Sequence, residues 1–199
     1  MMRTIHLVRH GDHDEVGRVL SGRSAIPLNA QGRAQAVALG EWFDGCRPAS
    51  LHSSPQLRAR QTAAPIATRL DLSVREAAAL DEIDFGTFTG RSFAALDSDK
   101  DWQRWNRERA TARCPGGETM AEAVARAREY LWSLPGGDTA ICVTHCDIIR
   151  GLVADLLGIG LDRMFVLDCD PGSVTTLVLG EGHARLAALN VPAVRPAPA

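Results

Sequence analysis

The chain has 199 residues and a mass of 21.4 kDa, the size of one domain with a full core, and its 45% hydrophobic and 23% charged residues are ordinary for a globular protein. A formal net charge of −2 gives no reason to expect nucleic acid or an acidic membrane surface as a partner, so any anion must be met by a local group of arginines and histidines. No apolar stretch reaches the length of a membrane span, and the N-terminus has no basic region followed by an apolar signal segment, which makes the cytoplasm the default location.

In chain order, residues 3–8 read as a short buried strand that ends at Arg9-His10-Gly11. Asn29, whose side-chain oxygen can accept a free N–H of the first turn, opens a helix over roughly 30–43 with Ala34, Val37, Ala38 and Trp42 at helical spacing. A strand at Ser50-Leu51-His52 leads to a loop at Ser53-Ser54-Pro55, and a helix follows from Gln56 to Arg69, with a kink expected at Pro65. Leu80 to Gly90 has no helical period and reads as loop, whereas Phe93 to about Arg109 reads as one helix. After the break at Cys114-Pro-Gly-Gly117, Thr119 and Glu122 have capping-box spacing and start a helix to about Leu134. Thr139 to Thr144 is strand and Asp147 to Leu157 helix. Two late strands, Val174 to Leu179 and Ala184 to Leu189, surround a Gly180-Glu-Gly182 turn. Strands alternating with helices imply an α/β fold, a mostly parallel central sheet with helices on both faces. The expected organisation is a single domain over 1–190 and a Pro/Ala-rich frayed tail over 191–199.

His10 is the first candidate functional residue. It stands where a buried strand gives way to a loop, and in open α/β sheets ligands bind outside the carboxyl ends of the strands. A neutral imidazole there can attack phosphorus, Arg9 can hold an anion, and Gly11 lets the backbone approach it closely. Arg58 follows Ser53-Ser54-Pro55 at the start of a helix, where a guanidinium fork and free N–H groups suit phosphate oxygens. His145 ends a strand just as His10 does, and two such strands side by side would bring both imidazoles to one pocket. The five cysteines (Cys46, Cys114, Cys142, Cys146, Cys169) are odd in number and argue against a disulfide framework. Cys142 and Cys146 bracket His145, but Cys142 lies in an apolar run where cysteine acts as a small hydrophobe, so zinc is not the preferred reading.

Taken in order, Arg9-His10-Gly11, Gly22-Arg23, Pro27-Leu28-Asn29-Ala30-Gln31-Gly32, Ser53-Ser54-Pro55 with Arg58, Leu80-Asp81-Glu82, Asp84-Phe85-Gly86 through Gly90, Pro115-Gly116-Gly117-Glu118-Thr119 and Val143-Thr144-His145 resemble the histidine phosphatase superfamily, which includes the cofactor-dependent phosphoglycerate mutases. The resemblance runs from about residue 3 to about residue 190 and favours the phosphatase branch. It implies a phosphoglycerate mutase-like fold and a metal-independent phosphomonoester hydrolase working through a phosphohistidine, with no cofactor. The implied partner is a small phosphorylated metabolite, without nucleic acid or membrane, and a homodimer is plausible. The catalytic residues would be His10, Glu82 as proton donor, and His145, which contacts the phosphoryl group. Arg9, Arg58, His145 and Gly11 would bind phosphate. Asp81 and Asp84 compete with Glu82 for the donor role, and Glu118 is either a helix-start charge or a pocket residue.

The chain departs from the family at Asp12, His13 and Val16, where a Glu or Gln, a Thr and an Asn are usual, and at Cys146, where glycine is usual. A hydroxyl and an amide are thereby lost, so contacts to phosphate or substrate must differ. Trp102 and Trp105, with Arg104, Arg107 and Arg109, form either a lid over the pocket or a helix packed on one face and solvated on the other. Three rival readings stand: a mutase, a metal-dependent hydrolase using His10, Asp12, His13 and Asp14, and a phospho-ligand binding protein without turnover.

Overall fold

A computed structural model describes residues 1–181 and 183–193. The elements are β1 (Arg3–Arg9), α1 (Ala30–Trp42), β2 (Ser50–Ser53), α2 (Leu57–Leu70), β3 (Val74–Glu76), α3 (Phe93–Leu96), α4 (Lys100–Arg107), α5 (Met120–Ser133), β4 (Thr139–Thr144), α6 (Cys146–Leu157), β5 (Ser173–Gly180) and β6 (His183–Pro192). Short 3-10 turns cover Ala78–Leu80, Gly86–Phe88 and Leu161–Val166.

The six strands form one sheet in the order β3-β2-β4-β1-β5-β6. The pairings β1 with β4, β2 with β3 and β2 with β4 are parallel; β5 pairs antiparallel with β1 and with β6. Side chains alternate across the sheet, as the strand period of two requires. Ile5 and Leu7 of β1 with Ala140 and Cys142 of β4 face a core completed by α5, α6 and the segment 80–114. Val8, Ile141 and Val143 face the opposite core, closed by α1 and α2. Helices therefore cover both faces, and Cys142 is the buried small hydrophobe its run suggested, 0% exposed.

Most expected elements appear with boundaries moved by a residue or two. Asn29 caps α1 through Gly32 N, and Thr119 and Glu122 form a complete capping box on α5. Pro65 does not end α2, which runs on to Leu70. The helix expected over 93–109 is divided into α3 and α4, because Asp99 accepts the Asp101 and Trp102 N–H groups as a fresh N-cap. Strand β3, three residues long, had not been anticipated. Strand β6 continues to Pro192, two residues into the expected tail; Gly182 and residues 194–199 lie outside the described residues. No helix among the described residues is long and apolar enough to cross a membrane.

Candidate active site

The carboxyl ends of β1, β4 and β2 lie side by side and deliver His10, His145 and Ser54 to one place. Register pairs Arg9 with Thr144, and His10 N donates to Thr144 O at 3.0 Å. The rings of His10 and His145 are 5.1 Å apart. Arg58, on the first turn of α2, reaches between them. Its Nε donates to His10 Nε2 at 3.2 Å and its NH2 to His145 Nδ1 at 3.1 Å, while Gly22 O and Ser24 O take the remaining donors at 2.6 and 3.0 Å.

These bonds assign both tautomers. His10 Nδ1 carries the proton and gives it to Gly11 O at 2.8 Å, so its Nε2 lone pair faces Arg58. His145 donates from Nε2 to Ser54 Oγ at 2.8 Å, and Ser54 passes its proton to Asp81 Oδ1 at 3.2 Å. Both imidazoles are pushed well below the ordinary histidine range, first by burial and then by the charge of Arg58. They are therefore neutral bases at pH 7.

Arg58 is itself 1% exposed, and no carboxylate forms an ion pair with Arg9, Arg58, Arg109 or Arg150 among the described residues. Buried cations without a counter-ion are costly and suit a site that receives an anion. Arg9 donates to Cys169 O and keeps a buried Nε with no partner.

Of the three acidic candidates at 81–84, Glu82 alone lines the cavity. Burial, followed by the charge of Asp147, raises its carboxyl well above the ordinary range. Asp81 is taken up by Ser54, Gln56 and Glu82 N, and Asp84 by Arg23 and Gly86 N. The Glu82 backbone is clamped: its carbonyl accepts from Arg23 at 2.9 Å and from Arg126 at 3.0 Å, and Glu118 pairs with both arginines. Glu118 thus sits behind the cavity rather than in it.

Gly11 needs correction as a phosphate ligand. Its N–H is given to Thr62 Oγ1 at 2.9 Å, and a Cβ on it would collide with the Gly32 carbonyl. The glycine is required for close approach to α1, not to an anion. The proposed metal cluster also fails to assemble. Asp12 accepts from Asn29 Nδ2 at 2.9 Å, and no group of three or more His, Cys, Asp or Glu suited to a metal exists among the described residues. Cys142, Cys146 and His145 form no such group either.

Beyond the imidazoles the cavity opens to about 830 Å³. Trp102 and Trp105 stack at 5.3 Å and form its inner wall, so α4 packs into the core and walls the pocket together. Arg104 is solvated and paired with Glu108. Arg109 is 7% exposed and lies between two rings, 4.3 Å from Trp105 and 3.9 Å from Phe165. Burial lowers its pKa to about 10. The Ser54–Asp81 link, Asp147 and Phe165 were not singled out in the sequence; each depends on long-range folding and left no local signal.

Comparison with known proteins gives a consistent picture. Residues 5–192 match the family model "Histidine phosphatase superfamily (branch 1)". A putative phosphoserine phosphatase 2 of Hydrogenobacter thermophilus is 28% identical over 195 residues, 95% of this chain and 96% of that one. A probable phosphoglycerate mutase of Salmonella paratyphi C is 31% identical over 166 residues, 79% of this chain and 76% of that one. The structure of a mycobacterial glucosyl-3-phosphoglycerate phosphatase superposes with a TM-score of 0.85 at 27% identity, covering 96% of this chain and all of that one.

Proposed function

The chain belongs to the histidine phosphatase superfamily, branch 1, and on that footing we propose that it is a metal-independent phosphomonoesterase that acts on a small phosphorylated metabolite through a phosphohistidine at His10. The observation that carries this reading is the shared guanidinium: Arg58 faces the lone pair of a neutral His10 Nε2 and, at the same time, His145, with no carboxylate to neutralise it.

On binding, a phosphoryl group displaces the Arg58–His10 bond and takes the guanidinium donors of Arg58 and Arg9. His10 Nε2 forms a bond to phosphorus as the bond to the ester oxygen breaks, and Glu82, kept protonated by burial, gives its proton to the leaving alkoxide. The Nδ1–H bond to Gly11 O stabilises the positive charge that develops on the imidazole. Water then attacks phosphorus while the Glu82 carboxylate takes its proton, which releases phosphate and restores His10. Charge on the phosphoryl oxygens is met by guanidinium, so the chemistry does not call for a metal.

The chamber is far larger than a phosphate ion and leaves room for water beside the phosphoenzyme, which favours hydrolysis over return of the group to the substrate. Arg109, buried between rings without a counter-ion, favours a leaving group that brings a second anionic group. The test is hydrolysis of a generic aryl phosphate in excess chelator by the native protein and by His10→Ala. Chelator-resistant turnover lost in the variant supports the reading. Activity abolished by chelator and restored by zinc would overturn it, and a panel of phosphomonoesters with and without a carboxylate then tests the Arg109 contact.

A further inference from the structure

We propose that His13 is a third imidazole of the phosphoryl site, donating a hydrogen bond from Nε2 to a phosphoryl oxygen in place of the hydroxyl and amide that this chain lacks. This inference rests on the phosphatase reading of the same cavity and adds a ligand to it.

His13 follows the His10 loop and is 5% exposed, a burial unusual for a histidine in a surface turn. Its ring lies 5.3 Å from that of His10, tilted by 36°, and it lines the cavity beside Arg9 and Arg58. Its Nδ1 accepts the Glu15 N–H at 3.4 Å, which places the proton on Nε2. Among the described residues nothing accepts that proton. The flanking carboxylate of Asp12 is occupied by Asn29, and Glu15 accepts from Ser21 Oγ at 2.8 Å. Val16, at the end of the same turn, also lines the cavity but brings no polar side-chain atom.

The Nε2 donor is turned to the open cavity with no protein acceptor among the described residues, so an arriving anion can take it without displacing an existing bond. The charge state suits the task. Burial and the Arg58 and Arg9 charges outweigh Asp12 and Glu15 and lower the His13 pKa to about 4, so the ring is a neutral donor near pH 7. It then adds no further cation to a site that already holds two guanidiniums. A hydrogen bond to a charged acceptor is worth more than one between neutral groups.

The experiment compares His13→Ala, His13→Gln and His13→Phe with the native protein. Two quantities are read: the affinity for inorganic phosphate by calorimetry, and kcat/KM for an aryl phosphate. The proposal predicts that Ala and Phe both weaken phosphate binding by about 10- to 100-fold and lower kcat/KM in step, while Gln, which keeps an N–H donor, recovers most of the loss. Phe retaining native phosphate affinity would show that the ring only fills space and would overturn the proposal, as would an Ala variant of native melting temperature with unchanged affinity. The calorimetric arm does not require turnover. A native protein that binds phosphate through His13 but hydrolyses nothing refutes the phosphatase reading alone.

Discussion

Arg58→Met separates a residue that receives an anion from one that only braces the fold. The substitution removes four donated hydrogen bonds, two to imidazole nitrogens and two to the carbonyls of Gly22 and Ser24. Ser24 O keeps the Ile26 N–H at 2.9 Å, so only the Gly22 carbonyl is left unpaired, at about 1–3 kcal/mol, with the two imidazole nitrogens losing their donor as well. Against that, removing a buried cation with no carboxylate partner recovers several kcal/mol, roughly 3 or more, of desolvation. The two terms are comparable, so the stability of the ligand-free protein should change by less than about 2 kcal/mol. Activity should behave quite differently. Two charge-assisted bonds to the phosphoryl group at about 1.5–3 kcal/mol each amount to about 3–6 kcal/mol, or roughly 10²- to 10⁴-fold in kcat/KM at 1.36 kcal/mol per decade. Phosphate at about a hundred times its dissociation constant should stabilise the native protein by about 2.7 kcal/mol, several degrees in melting temperature for a chain of this size. The Met variant should show almost none of that shift. Scanning calorimetry with and without phosphate, beside steady-state kinetics, reads both. A variant destabilised by more than about 4 kcal/mol that still gains the full phosphate shift would refute the reasoning and make Arg58 a structural brace.

Glu82→Gln should lower kcat/KM, which reads transfer to His10 and not the later hydrolysis, by about 10²- to 10⁴-fold on alkyl phosphates and far less on p-nitrophenyl phosphate, whose leaving group needs no proton; equal losses of kcat/KM on both would remove Glu82 as the acid. His10 and His145 stay neutral in the fold below pH 6.5, where the unfolded chain protonates both. Above 6.5 both states hold them neutral and they contribute nothing; below it the unfolded chain gains protons that the fold refuses, so stability falls with pH by up to about 2.7 kcal/mol per pH unit for the two together. Urea unfolding between pH 7 and 5.5 should show this fall, steepened by His6, His13 and His52, whose pKa values burial also lowers, and His10→Asn should remove only its own share, up to about 1.4 kcal/mol per pH unit. A Cβ on Gly32 would strike the Asp12 carbonyl. Gly32→Ala should therefore cost about 3 kcal/mol, the upper end for overpacking because the obstacle is backbone, and lower kcat as the His10 loop shifts. Gly32→Ala with native stability and kcat would contradict that packing.

The sequence marked the strand ends that deliver His10 and His145 because a buried apolar run followed by a polar loop is a local signal. Arg58 was legible in the same way, as a cation at the start of a helix after a Ser-Ser-Pro loop. What could not be read depended on contacts distant in the chain. Asp81 was visible as an acid but not as the group that orients His145 through Ser54, 91 residues before that histidine. The role of Gly11 was assigned to the wrong neighbour, since only the folded chain brings Gly32 against it. Arg109 looked like one of several solvated arginines, yet two rings enclose it. Asp99 carried an ordinary N-cap signal inside an apparently continuous helical stretch, and attending to it would have divided α3 from α4 in advance.

The central claim is a covalent phosphohistidine, and rapid acid-free quenching of a single turnover tests it most directly. With a slowly hydrolysed phosphomonoester, mass spectrometry of the quenched protein should find one phosphoryl group on the His10 peptide, labile to acid, stable to base and missing in His10→Ala. Full turnover with no phosphoenzyme at any time, or a phosphoryl group on another residue, would contradict the account.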